Sequence, residues 1–100
     1  MDIDESKLIG DGLVGIWYGL ESDWGNSLDG AMIFYNDNTG VDFLRCGLIC
    51  KPFTYEIQDD THIYIKYNAS EGAVKEYRLE GNKWIYNYLN DSWNTYIKIK

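Results

Sequence analysis

The residues able to do chemistry are carboxylates and indoles, and they crowd one part of the chain. The segment Glu21-Ser22-Asp23-Trp24-Gly25-Asn26-Ser27-Leu28-Asp29-Gly30 holds three acids and a Trp. Asp37 and Asp42 follow, with Tyr35 just ahead of them. Clustered carboxylates suit charge-assisted hydrogen bonds to Arg or Lys of a partner. A Trp among them suits an anchor that is desolvated on binding. Glu21, Asp23, Trp24, Asp29, Tyr35, Asp37 and Asp42 are therefore the candidate partner-binding residues. The plainer reading of 21–30 is a solvated connection whose Trp24 closes one end of the fold.

The charge distribution says what such a partner is. Residues 1–50 hold nine acids and two bases, residues 51–100 hold seven of each, and the net charge is −7. A one-sided charge sets up a long-range field that draws in a surface of opposite sign. Nucleic acid and anionic lipid are polyanions and are poor ligands for that half. A basic protein fits it, and so does plain solubility without a partner.

Catalytic and metal chemistry find little support. Cys46 and Cys50 read as C-x3-C, and His62 is the single histidine. A tetrahedral zinc site takes four ligands, and these three fall short. A general base needs a positioned partner, which only the neighbouring Asp59 or Asp60 offers. No nucleophile elbow, zinc-protease helix, P-loop or dinucleotide fingerprint is present. The expectation is a non-enzymatic protein with no cofactor and no metal.

The elements that must position these residues are strands. Val14-Ile16-Tyr18-Leu20 alternate with Leu13-Gly15-Trp17-Gly19, and Ala31 to Tyr35 is an apolar run. Val41-Phe43-Arg45, Phe53-Tyr55-Ile57, Ile63-Ile65-Tyr67, Tyr77-Leu79, Trp84-Tyr86-Tyr88 and Trp93-Thr95-Ile97-Ile99 each alternate with a second set. Asn36-Asp37-Asn38-Thr39-Gly40, Asp59-Asp60, Asn68 to Gly72, Gly81-Asn82 and Asn90-Asp91 supply turn chemistry between them. Pro52 is placed where a strand starts rather than continues.

Eight short strands joined by short turns predict an antiparallel up-and-down barrel or rolled sandwich, a single domain over residues 1–100. One short helix is expected over Asp4 to Ile9, with an Asp ahead of it and Gly10 after it. In an up-and-down barrel the 21–30 and 36–40 connections fall at opposite ends. A single partner surface would then run along the barrel wall through Asp42. The late aromatics Tyr64, Trp84, Tyr86, Tyr88, Trp93 and Tyr96 are expected to pair across strands. No apolar window is long enough to span a membrane. Met1 is followed by neither the basic nor the apolar stretch of a signal peptide, so the cytoplasm is the expected compartment.

Two short motifs carry a resemblance. Gly15-Ile16-Trp17 reads as the G-x-W that opens the barrel of lipocalins. Phe34-Tyr35-Asn36-Asp37-Asn38-Thr39-Gly40 resembles the F-x-x-D-G-T-G hairpin of small bacterial lipocalin-like domains, with Asn38 in place of the Gly. The eight-strand rhythm is also similar to fatty-acid-binding proteins. The resemblance implies a barrel plugged by Trp17, with Lys98 as the basic residue of the last strand that packs on it. It also implies a carrier of small molecules or lipids. In size, acidity and aromatic content the chain resembles bacterial toxin immunity proteins. That likeness implies an inhibitor that binds a basic partner, such as a nuclease or contact-dependent growth inhibition toxin, and occludes its active site.

Overall fold

The computed structural model describes residues 3–22, 30–44, 49–68, 71–89 and 92–100, with the backbone alone at 20–22, 44, 49, 88, 89 and 92. A short 3₁₀ turn, Glu5–Leu8, precedes eight strands: β1 (Gly15–Ser22), β2 (Ala31–Phe34), β3 (Thr39–Leu44), β4 (Ile49–Asp59), β5 (His62–Tyr67), β6 (Ala73–Glu80), β7 (Lys83–Leu89) and β8 (Ser92–Lys98). Each strand pairs antiparallel with the next in sequence, and β8 returns to β1, closing the barrel. Closure removes the unpaired edges that an open meander would present.

Period-two alternation decides what fills the interior. Residues directly opposite each other on paired strands share a face. Trp17 lies opposite Met32, Tyr55 opposite Ile65, Tyr77 opposite Tyr86 and Trp84 opposite Tyr96. All eight belong to one buried cluster, together with Phe34, Phe53, Ile63 and Leu13. Phe34 sits at its centre. Its ring meets Phe53 at 5.3 Å, Tyr55 at 5.0 Å and Trp84 at 5.0 Å, all edge to face. Trp84 then stacks on Tyr86 at 4.8 Å and tilts against Tyr96 at 5.2 Å. Edge-to-face and stacked pairs each add about 0.5–1.5 kcal/mol beyond the area they bury.

Two glycines are required by this packing. A Cβ on Gly40 would collide with the Ile33 carbonyl oxygen and the Phe53 ring, so only glycine lets β3 pass Phe53. Gly15 has φ +144° and lies against the C-terminal backbone at Lys100. L side chains rarely adopt that conformation. Next to it, Trp17 donates its indole N–H to the Leu13 carbonyl at 2.9 Å, and the Lys98 ammonium sits 5.8 Å over its ring.

The strand containing Pro52 is longer than the sequence suggests. β4 runs eleven residues and carries Pro52 opposite Val41. Tyr55 donates its N–H toward β3, to Asn38 O, so the alternate residues 52 and 54 point theirs toward β5. The β5 ladder begins only at Phe53 opposite Tyr67. The missing N–H of Pro52 therefore costs no ladder bond.

The N-terminal segment covers part of the outside. Ile33, Tyr35 and Val41 face away from the interior and form a second buried cluster with Leu8, Ile16 and Phe43. Asn36 fixes the segment there. It donates its backbone N–H to Lys7 O at 2.8 Å and its side-chain amide to Ile9 O at 3.0 Å. β2 is consequently buried on both faces.

Candidate functional site

The structure separates the predicted contact residues. Asp37 lies exposed in the β2–β3 turn. Its Oδ1 accepts from the Thr39 N–H at 3.2 Å, and its Oδ2 pairs with the Lys7 ammonium at 3.0 Å. The Thr39 bonds, and then Lys7, hold its carboxyl below the usual range, while Asp37 holds the Lys7 ammonium above its usual value. Tyr35 is buried beneath the N-terminal segment, with the Lys7 ammonium 5.7 Å over its ring.

Asp42 lies within β3 and faces inward. It lies opposite Met32 on β2 and Lys51 on β4, and its Oδ2 accepts from the Tyr67 hydroxyl at 2.9 Å. It does not run along the outer wall, because the apolar set Val41 and Phe43 takes the outer face under the N-terminal segment. Burial raises its carboxyl above the usual range, against the opposing pull of Tyr67 and Lys51. Burial first, and then the Asp42 charge, push the Tyr67 hydroxyl well above its usual value.

Glu21 lies in β1 opposite Thr95. Asp23, Trp24 and Asp29 lie outside the described residues, as does Cys46 of the C-x3-C pair. Cys50 is exposed on β4. His62 shares the β4–β5 turn network: Asp59 Oδ1 lies 3.0 Å from its Nδ1 and accepts the Thr61 N–H at 2.8 Å. These bonds, Thr61 first, hold the Asp59 carboxyl at about 2. Among the described residues no group of three His, Cys, Asp or Glu side chains is placed to hold a metal ion.

The end of the barrel that carries these turns repeats one local device. Asp4 accepts from the Ser6 N–H at 3.1 Å, just as Asp37 and Asp59 accept from Thr39 and Thr61 two residues on. Asp-x-Ser/Thr closes a turn by satisfying the next free N–H with its own carboxylate. Each turn built this way leaves an anionic group at this end.

At the same end the barrel is open on one side. A cavity of about 370 Å³ lies between residues 11–14, the 36–38 turn and the ends of β4 and β6. Leu13, Tyr55 and Tyr77 line it. Ile57 and Leu79 line it too. Both are inward positions, opposite the fully buried Ile63 and Trp84, yet they remain 46% and 41% exposed. Asp11 and Glu56 complete the lining, which contains no basic residue. The sequence does not disclose this site, because four separated segments build it and each reads locally as an ordinary turn or strand end.

No family model matches this chain, and no curated protein matches it. Among the described residues no helix is long and apolar enough to cross a membrane.

Proposed function

We propose that this protein is a non-enzymatic inhibitor of the immunity type. It binds a basic protein, such as a bacterial nuclease toxin, and occludes that partner's active site in the cytoplasm. The observation that carries the reading is where the apolar side chains have gone. The middle of the barrel is filled by its own rings, with Trp17, Phe34, Phe53 and Trp84 at most 2% exposed. A barrel packed this way offers its outside and its end, rather than a central chamber, to other molecules. The formal net charge of the chain is −7. Such a field speeds encounter with a cationic surface and disfavours polyanions.

The test is capture of interacting proteins at low salt, elution at high salt, and assay of the eluted protein's activity with and without this barrel. The expected result is one basic protein retained in stoichiometric amount, whose activity falls when the barrel is added back. Retention of an acidic protein, or of a basic one whose activity is unchanged, would count against the reading.

A further inference from the structure

We infer that the open end of the barrel between β4 and β6 is a socket for a cationic side chain with an apolar stem, an Arg or Lys presented by the basic partner. The inference rests on the partner being basic and adds where, and by what chemistry, it is gripped.

The first argument is exposure where burial is the rule. Inward-facing positions in a closed barrel are normally covered by the opposite wall. Ile57 and Leu79 face inward and still meet solvent, in the cavity they share with residues 11–14. With Leu13 they make an apolar floor inside a cavity of about 370 Å³. That lies within the roughly 300–1,000 Å³ range of ligand sites.

The second argument is charge complementarity. Asp11 and Glu56 belong to the lining. Lys7, the basic residue of the adjoining segment, is already engaged by Asp37. The field of the surrounding carboxylates is felt by the phenols of the wall. Tyr55 is pushed up to about 12 by burial and then by Asp37, and Tyr77 is raised by burial and then by Asp60 and Asp59. An anionic or neutral apolar guest gains nothing from that field. Arg and Lys bury a hydrocarbon stem while keeping the charged head at a polar rim. The Tyr55 and Tyr77 hydroxyls are already committed to Tyr35 O and Asp59 O, and Glu56, between the inward Tyr55 and Ile57, turns its carboxylate outward, so the head group is left to Asp11 at the rim.

The probe is n-hexylguanidinium, which carries the Arg head on an apolar stem, followed by methyl-resolved NMR of the whole protein. Hexanoate and hexanol are the matched controls. Saturable shifts centred on Leu13, Ile57 and Leu79 are expected with the guanidinium. Affinity should fall about tenfold in Asp11→Asn and stay unchanged in Glu56→Gln, whose carboxylate lies on the outer face, the first change being the scale of losing a charge-assisted contact. Absence of shifts at these methyls would overturn the socket. Equal binding of hexanol or hexanoate would also overturn it and indicate an apolar small-molecule site instead. Leu79→Ser alters a residue already 41% exposed, so folding is kept while the floor is broken. In the presence of the captured basic partner, Leu79→Ser should raise the dissociation rate. Unchanged affinity there removes the socket but leaves the inhibitor reading intact. Guanidinium binding with no basic partner captured does the reverse.

Discussion

Strands β2 and β6 stand on opposite sides of the barrel and are buried to opposite degrees. In β2, Met32 and Phe34 face the interior while Ile33 faces the N-terminal segment, and all three are buried. In β6 only Tyr77 is buried, and Val74 is 55% exposed. Both strands have a ladder partner on each side, so hydrogen bonding does not separate them. The difference is the second layer: Leu8 and its segment cover β2, and no corresponding segment lies on β6 among the described residues. One side of the barrel is thus built to hold the fold. The other leaves Val74 and Leu79 exposed, with Glu76, Arg78 and Glu80 beside them.

The largest effect should come from the ring cluster that β2 delivers to the interior. Phe34→Ala removes contacts with Phe53, Tyr55 and Trp84 at once. A loss of about 3–5 kcal/mol in urea unfolding is expected. The comparison itself is tested by one outer residue from each strand. Ile33→Ala should cost at least about 2 kcal/mol because the residue is fully covered. Val74→Ala should stay within about 0.5 kcal/mol. Equal costs would mean that the N-terminal segment contributes no second layer.

A finer contrast sits inside the core. The Trp17 N–H is bonded to Leu13 O, whereas the Trp84 Nε1 is buried with no acceptor among the described residues. Trp17→Phe strands a carbonyl, and Trp84→Phe removes a donor that was already unpaid. Trp17→Phe should be the worse of the two by about 1 kcal/mol, read from their unfolding midpoints.

The smallest effects are pH-dependent and opposite in sign. Asp42 titrates above its ordinary value near 3.8 when folded, so the folded state holds its proton more tightly. Stability from this group is therefore present below 3.8 and lost as pH rises through the raised value. Asp59 titrates at about 2 when folded, so its contribution is present above 3.8 and lost as pH falls toward 2. Asp42→Asn should flatten the first slope and Asp59→Asn the second, in unfolding curves taken from pH 2 to 7.

The sequence made the barrel legible because strand signals are local. Alternation places Phe53-Tyr55-Ile57 and Ile63-Ile65-Tyr67 without any knowledge of their neighbours. The turn chemistry of Asn36 to Gly40 is equally local, and Asn38 takes the positive φ of 66° that the turn demands. What depended on distant segments was not legible. Val41 and Phe43 look like the core face of β3, yet they turn outward because Leu8, more than thirty residues earlier, covers them. That choice sends Asp42 inward and takes it off the outer wall. The cavity at Ile57 and Leu79 escaped for the same reason, since its walls come from four segments that meet only after closure.

The central claim is that the bare side of the barrel does the recognising. The most direct measurement is amide hydrogen exchange, residue by residue, with and without the captured basic partner. Added protection around Asp11, Ile57 and Leu79, with the β2 amides unchanged, is the predicted result. Protection confined to β2 and the N-terminal segment, or none at the β4 and β6 ends, would contradict it.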